Sequence, residues 1–338
     1  MQAIQLVEPS LTAFRRTTLP DPVPGPGEVL IRLRAAALNF IDVAIATERF
    51  PGAHFPLIPV ADGAGEVVAL GADVADVTAV GIGTRVVPHF MPDWRSGPMT
   101  HYQIAAMRGL TLPGSLGEYV AVPAASVVAL PDHLDYVQGA TLPIAATTAW
   151  NGIRSAQVRP GSTVVILGTG GVSLFALQFA KASGATVILV SSSDEKLERG
   201  RGLGADHLVN YRATPDWDAA VLAITDGRGA DLVMETIGNA TFARSLNAAA
   251  TGGTVFTVGF ITGSVTAIDM LTLIKKALRI VGNSTGSVAD LREAVRGITA
   301  NRIVPVVDRV FGIDETAAAY AELAAGSKHF GKLAISRG

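Results

Sequence analysis

The chain has 338 residues, of which 49% are hydrophobic and 17% charged, with a formal net charge of −2. That balance excludes a disordered chain and gives no electrostatic reason to expect nucleic acid or an anionic membrane surface as a partner. Cysteine is absent, which removes disulfides, thiolate catalysis and every cysteine-ligated zinc site, and fits a reducing, cytoplasmic setting. The opening MQAIQLVEPSLTAF has no basic stretch followed by an apolar core, so no signal peptide is expected. No uninterrupted apolar run reaches the ~18 residues a membrane span requires.

Residues 1–127 are broken by Pro and Gly into short apolar pieces such as EVLIRLRAAALN (28–39), GAGEVVALG (63–71) and TRVVPHF (84–90). Short strands between turn residues predict a β-rich, partly open barrel. Residues 128–283 instead alternate strands with helices. The strands expected there are TVVIL (163–167), TVILVS (186–191), HLVNY (207–211), DLVMET (231–236), GTVFTVGF (253–260) and RIVGN (279–283). Most are continuous β-branched runs, the pattern of strands covered on both faces. The class is therefore α/β, with a Rossmann-type doubly wound parallel sheet. After residue 283 come a helix near 287–300, a strand near 303–311, a helix near 314–325 and a last strand, KLAIS (332–336). The expected division is a β-rich domain of 1–127 completed by 284–338, and a dinucleotide-binding domain of 128–283.

The strongest chemical signal lies between the first two strands of the second region. TVVIL runs into Gly168-Thr169-Gly170-Gly171-Val172-Ser173, and a helix follows at once. Glycines there make a tight turn and let a pyrophosphate reach the N–H groups and positive dipole of the helix start, so Gly168, Gly170, Gly171 and Val172 are candidate cofactor residues. Ser173 departs from the fingerprint by holding its third glycine position. An NAD site wants a carboxylate at the end of the second strand. This chain offers Ser191-Ser192-Ser193 and then Lys196, hydroxyls and a cation suited to a 2′-phosphate, so NADPH is the expected cofactor. Ser192, Ser193 and Lys196 are assigned to it, with Tyr211 at the end of the third strand; the serines can equally cap the next helix. Ligands of such sheets bind at the carboxyl ends of the strands, which adds Thr236, Ile237, Val258, Gly259 and Phe260, although a Phe in that place also serves as plain packing.

Several segments taken together resemble the medium-chain dehydrogenase/reductases, in particular the zinc-free, quinone oxidoreductase-like branch. They are PGPGEVLIRLRAAALNFIDV (24–43), IPVADGAGEVVALG (58–71), GSLGEYVAVPAASVVALP (114–131), ATLPIAATTAWNGI (140–153), the glycine loop, DHLVNYR (206–212) and KHFGKLAIS (328–336). The resemblance implies a GroES-like catalytic domain, a Rossmann domain, the cofactor in the cleft between them and a homodimer through the sheet edge near 278–283. The positions that carry catalytic zinc ligands in the zinc-dependent members correspond here to Asn39, Ala61 and Ile144, and the six histidines (54, 89, 101, 133, 207 and 329) show no paired helical ligand spacing. No zinc is expected, catalytic or structural.

Three catalytic candidates follow from the same resemblance. Asn39 and Asp42 match an Asn-x-x-Asp segment whose amide orients substrate or nicotinamide, with helix capping as an equal alternative. Thr147 resembles the residue whose hydroxyl contacts the nicotinamide ribose, with Thr148 as its rival. Without a metal, reduction of an activated acceptor is the least demanding chemistry, because hydrogen bonds to a carbonyl can stabilise the developing enolate. The expected activity is hydride transfer from NADPH to a quinone or α,β-unsaturated carbonyl. The alternatives are a metal-independent alcohol or aldehyde oxidoreductase and a non-catalytic NADPH-binding sensor. The segment 91–119, with Trp94 and Tyr102, is expected to form a lid. His329 is given a structural role near the chain's last strand.

Overall fold

The computed structural model describes residues 1–74, 80–326 and 328–337. Two compact units form, one from Met1–Thr147 with Gly286–Gly338, the other from Thr148–Thr285. In chain order, the first unit supplies β1 (Gln2–Leu6), β2 (Phe14–Thr18), β3 (Glu28–Ala37), β4 (Asp62–Leu70), β5 (Arg85–Pro88), β6 (Tyr119–Pro123) and β7 (Val127–Ala129). The second supplies β8 (Thr163–Leu167), β9 (Thr186–Ser191), β10 (His207–Asn210), β11 (Ala230–Glu235), β12 (Ala249–Thr257) and β13 (Arg279–Gly282). The chain then returns to the first unit with β14 (Val307–Gly312) and β15 (Lys332–Ser336).

In the first unit, β1 and β2 pair with each other, while the main sheet runs β14-β15-β3-β4-β5-β7. β3 is the hub. Its first half pairs with β6 and its second half with β15, both antiparallel, and β4 covers its other edge. Val29, Ile31 and Leu33 alternate along β3 and are buried with Val67, Val86, Val120 and Val122, as a period of two requires. Ala35, Ala36 and Ala37 are all buried, so here the strand is covered on both faces and small side chains let its neighbours approach.

The second unit is one parallel sheet in the order β10-β9-β8-β11-β12-β13. Counted within the unit, that is the 3-2-1-4-5-6 order of the doubly wound dinucleotide fold. Every residue of β8 is buried, which is why its sequence is a continuous apolar run. Val165, Leu167, Ile188, Val190, Val233 and Val255 of the sheet pack with Trp217, Phe242 and Leu246 of the helices Trp217–Ile224 and Asn239–Ala248. Because the strands are parallel, the loops that follow β8, β9, β11 and β12 emerge at the same end of the sheet.

One expectation is corrected here. The segment 91–119 does not form a free lid, because Met91, Trp94, Met107, Leu110 and Leu116 belong to the first unit's core. Trp94 is 7% exposed and its indole N–H donates to Gly97 O at 2.9 Å. A buried Trp contributes a large apolar area, so the segment is anchored at residues 91–94 and from Met107 onward, while residues 95–102 between them are exposed. Tyr102 stands exposed on the short helix His101–Ile104. No helix among the described residues is long and apolar enough to cross a membrane.

Candidate functional site

The first unit holds a buried polar cluster around the start of the helix Phe40–Ala46. Asp42 pins that start: its carboxylate accepts from Asn39 N at 2.7 Å and from Ala61 N at 3.2 Å. The capping role belongs to Asp42, and the Asn39 side chain is left for other work. Its Oδ1 accepts from Lys332 Nζ at 2.6 Å, and its Nδ2 donates to Asp62 Oδ2 at 2.8 Å. Lys332 also donates to Leu38 O at 2.6 Å and lies 3.9 Å from Asp62 Oδ2. Ile144 N donates to the same Asp62 oxygen at 3.3 Å. Sequence reasoning missed Lys332 and Asp62, and both are almost wholly buried, at 4% and 0% exposure.

The electrostatics follow from that burial. Desolvation lifts Asp42 to about 7, helped by the Asp62 charge and opposed by the backbone N–H of Asn39. Desolvation also lifts Asp62, to about 6, with the Lys332 ammonium and the Asn39 amide pulling the other way. Lys332 is pushed down by burial against the support of Asp62 and Asp42. Arg108, buried and donating to Ser115 Oγ at 2.9 Å, is lowered by burial to about 10 while Asp62 favours its charge. Beside these groups Val60 adopts φ +69°, a conformation costly for a β-branched residue. Ser115 N holds it by donating to Val60 O at 2.7 Å.

Asn39, Ala61 and Ile144 do come together, all three within reach of the Asp42 and Asp62 carboxylates. They offer an amide, a methyl and a butyl group. Both Asp42 oxygens and Asp62 Oδ2 are committed to protein donors, while Asp62 Oδ1 is buried without a partner among the described residues. Among the described residues no group of three or more His, Cys, Asp or Glu side chains is placed to hold a metal ion, so this donor set does not fit zinc. Thr147 is fully buried, and its hydroxyl has no hydrogen-bond partner among the described residues. Its neighbour Thr148 is 4% exposed.

In the second unit the residues expected around a dinucleotide lie on the loops after β8, β9, β11 and β12. Gly168 has φ +74°, and a side-chain carbon built on Gly170 would meet nothing within 4 Å. Gly170 therefore faces open space at the head of the helix Gly171–Ala182, whose first residues are Gly171 and Val172. Ser173, in the place of a glycine, is 2% exposed and donates to Leu167 O at 2.8 Å; Thr236 Oγ1 donates to the same carbonyl at 2.7 Å. The two hydroxyls tie the β8 and β11 exits together, which explains why serine stands there.

After β9, Ser192 is half-buried, and Ser193 caps the helix Asp194–Gly202 by accepting from Lys196 N at 3.4 Å. Lys196 is 9% exposed and already engaged in interactions of the protein itself, so it is less available than the sequence suggests. Tyr211 N donates to Ser191 O at 3.0 Å while its ring is exposed, which brings the β9 and β10 exits side by side.

The most elaborate arrangement surrounds Glu235, which sequence reasoning passed over. It is 0% exposed at the end of β11. Its carboxylate accepts from Ile237 N at 2.8 Å, Gly238 N at 3.0 Å, Thr241 Oγ1 at 2.8 Å and Ser245 Oγ at 2.6 Å. Thr241 and Ser245 are one helical turn apart, so both hydroxyls face it. Val258 N and Gly259 N donate to Glu235 O. A side-chain carbon on Gly259 would sit 2.0 Å from Thr236 C and 2.3 Å from Ile237 N, so only glycine admits this contact of two loops. Thr236, Ile237, Val258 and Gly259 thus form one rigid ledge, with Phe260 half-buried just beyond it.

Comparison with known proteins agrees with both units. Residues 25–132 match the alcohol dehydrogenase GroES-like domain and 171–300 the zinc-binding dehydrogenase domain. A zinc-type alcohol dehydrogenase-like protein of Schizosaccharomyces pombe is 40% identical over 318 residues, covering 92% of this chain and 91% of that protein. A quinone oxidoreductase of Pseudomonas aeruginosa is 31% identical over 314 residues, 89% of each. The solved structure of a mycobacterial protein complexed with NADPH superposes with a TM-score of 0.83 at 25% identity, over 99% of both chains. A GroES-like domain joined to a Rossmann-type domain defines a class of oxidoreductase. The chain belongs to the medium-chain dehydrogenase/reductase family.

Proposed function

We propose that this oxidoreductase reduces a quinone or an α,β-unsaturated carbonyl with NADPH and works without zinc. The observation that carries the reading is the cluster at Asn39, Ala61 and Ile144, where an internal ammonium, Lys332, and its Asp62 partner stand in place of metal ligands. NADPH, when bound, supplies the hydride. The glycine loop at 168–171 and the helix behind it receive the pyrophosphate, and Ser192, Ser193 and Tyr211 lie at the 2′-phosphate, with the neighbouring Asp194 carboxylate engaged by the Asn210 amide at 2.7 Å. The mycobacterial relative captured with NADPH supports that choice. The ledge of Thr236, Ile237, Val258 and Gly259 orients the nicotinamide end.

On the acceptor side the Asn39 amide donates to the carbonyl oxygen, where negative charge grows as hydride reaches the conjugated carbon. The enolate is then protonated from solvent. A second copy covers the edge strand β13, and Val265, Met270, Leu271 and Ile274 on the segment that precedes it in the chain are exposed; an uncovered edge invites association.

The test is NADPH oxidation at ~340 nm by chelator-treated protein offered a quinone, a conjugated enal and the matching saturated aldehyde. Turnover of the first two alone is the expected result. The Schizosaccharomyces pombe relative, described as zinc-type alcohol dehydrogenase-like, favours a second reading as an alcohol or aldehyde oxidoreductase, and turnover of the saturated aldehyde would select it. NADPH binding with no turnover of any acceptor would leave a sensor.

A further inference from the structure

We propose that Lys332 is a positioning residue that fixes which face of the Asn39 amide meets the substrate, and that Asp62 completes the same device. The inference rests on the reading of Asn39 as the donor to the acceptor's carbonyl.

An asparagine amide has two nearly isosteric faces, so packing alone does not decide which end points where. Here the two neighbours decide it by charge. Lys332 Nζ can only donate, and it lies 2.6 Å from Asn39 Oδ1; the Asp62 carboxylate accepts from Nδ2 at 2.8 Å. A flipped amide would set its NH2 group against an ammonium and its carbonyl against a carboxylate. Lys332 is itself held by Leu38 O, and Asp62 by Ile144 N, so neither neighbour can turn with the amide.

Two consequences follow for the chemistry. The amide carries two N–H groups, and only one is taken, by Asp62. The other makes no hydrogen bond among the described residues and is available to an oxygen. The ammonium on Oδ1 also draws electron density out of the amide, which strengthens the remaining N–H as a donor. A neutral side chain thereby presents a polarised donor, while the cation stays beneath it at 4% exposure and is balanced by Asp62. Burying a cation beside a carboxylate is a poor way to gain stability alone, which favours a role in the reaction.

The test uses the holoenzyme with a quinone or enone acceptor and compares Lys332→Met, Asn39→Leu and their combination. Lys332→Met is expected to lower kcat roughly 30-fold or more, below the ~100-fold or greater cost of deleting such a donor outright, with NADPH affinity changed less than about twofold. Because Lys332 acts through Asn39, adding Lys332→Met to Asn39→Leu is expected to cost nothing more. Should Lys332→Met fail to fold, the pair Lys332→Met with Asp62→Asn frees the amide while keeping the net charge of the cluster unchanged, and is expected to show the same loss of kcat. Independent, multiplying effects of Lys332→Met and Asn39→Leu would overturn the inference, as would full kcat in the folded neutral pair. Failure of the wild-type protein to reduce any quinone or enone would instead overturn the functional reading, and this inference with it.

Discussion

Replacing Glu235 by alanine strips the acceptor from two backbone N–H groups, those of Ile237 and Gly238, in a site with no exposure. Each buried donor left unsatisfied costs about 1–3 kcal/mol. The Thr241 hydroxyl already lies 3.3 Å from Gly238 O and can turn to it, so the hydroxyls add little. A loss of about 4 kcal/mol is expected once the small cavity is included. With a urea slope of about 2 kcal/mol per molar, the unfolding midpoint falls by about 2 M. Glu235→Gln keeps one oxygen for Ile237 N and Gly238 N and offers an NH2 to the two hydroxyls, so its cost is about 1–2 kcal/mol. Urea titrations followed by intrinsic fluorescence, with NADPH binding measured on the same samples, order the three proteins as wild type, Gln, Ala. Equal midpoints for Gln and Ala, or an Ala midpoint within about 0.3 M of wild type, would refute the view that this carboxylate organises the ledge.

Gly259→Ala places a carbon 2.0 Å from the Thr236 backbone; NADPH affinity measured by fluorescence is expected to fall at least tenfold, about 1.4 kcal/mol, and unchanged affinity would remove the ledge from the cofactor site. The pH dependence of stability has two opposed parts. His89, buried and held at about 4 against an ordinary 6.5, is charged in the unfolded chain first, so stability falls as pH drops from 6.5 towards 4, and His89→Gln is expected to flatten that limb by roughly 2–4 kcal/mol. Asp42, raised from 3.8 to about 7, works in reverse: its contribution is complete below pH ~4 and is lost as pH climbs to ~7, so Asp42→Asn is expected to flatten the rise-side loss in the same denaturation series.

What the sequence disclosed and what it withheld divide along sequence distance. The strands β8 and β9 were legible because a strand covered on both faces needs an unbroken β-branched run, and TVVIL and TVILVS supply one. The glycine loop was legible because its chemistry is local. Its serine at 173 looked like a defect, yet its hydroxyl serves the Leu167 carbonyl, a contact with a residue across the turn that no fingerprint encodes. Asn39, Asp62 and Lys332 meet only after folding, from three separate strands or strand exits, so no spacing rule links them. Glu235 did leave a trace. A carboxylate closing the apolar run DLVME must be either at an open end or fully satisfied, and the Thr and Ser that follow at helical spacing are its donors. The 91–119 segment misled because Met and Trp at irregular spacing give no period, although they fill the core.

The insertion of β15 between β14 and β3 has a consequence for biosynthesis. Residue 332 leaves the ribosome 270 positions after Asp62, and at about 5–20 residues per second that interval lasts on the order of tens of seconds. Through that time the nascent first unit has two aspartates and no ammonium to bury with them, and the second half of β3 has an open edge. The second unit, by contrast, is one continuous stretch of chain and can complete its sheet on emerging. Order of synthesis thus makes the dinucleotide fold the early folder. The carboxylate cluster closes last, when its own counter-ion arrives on the strand that seals the sheet.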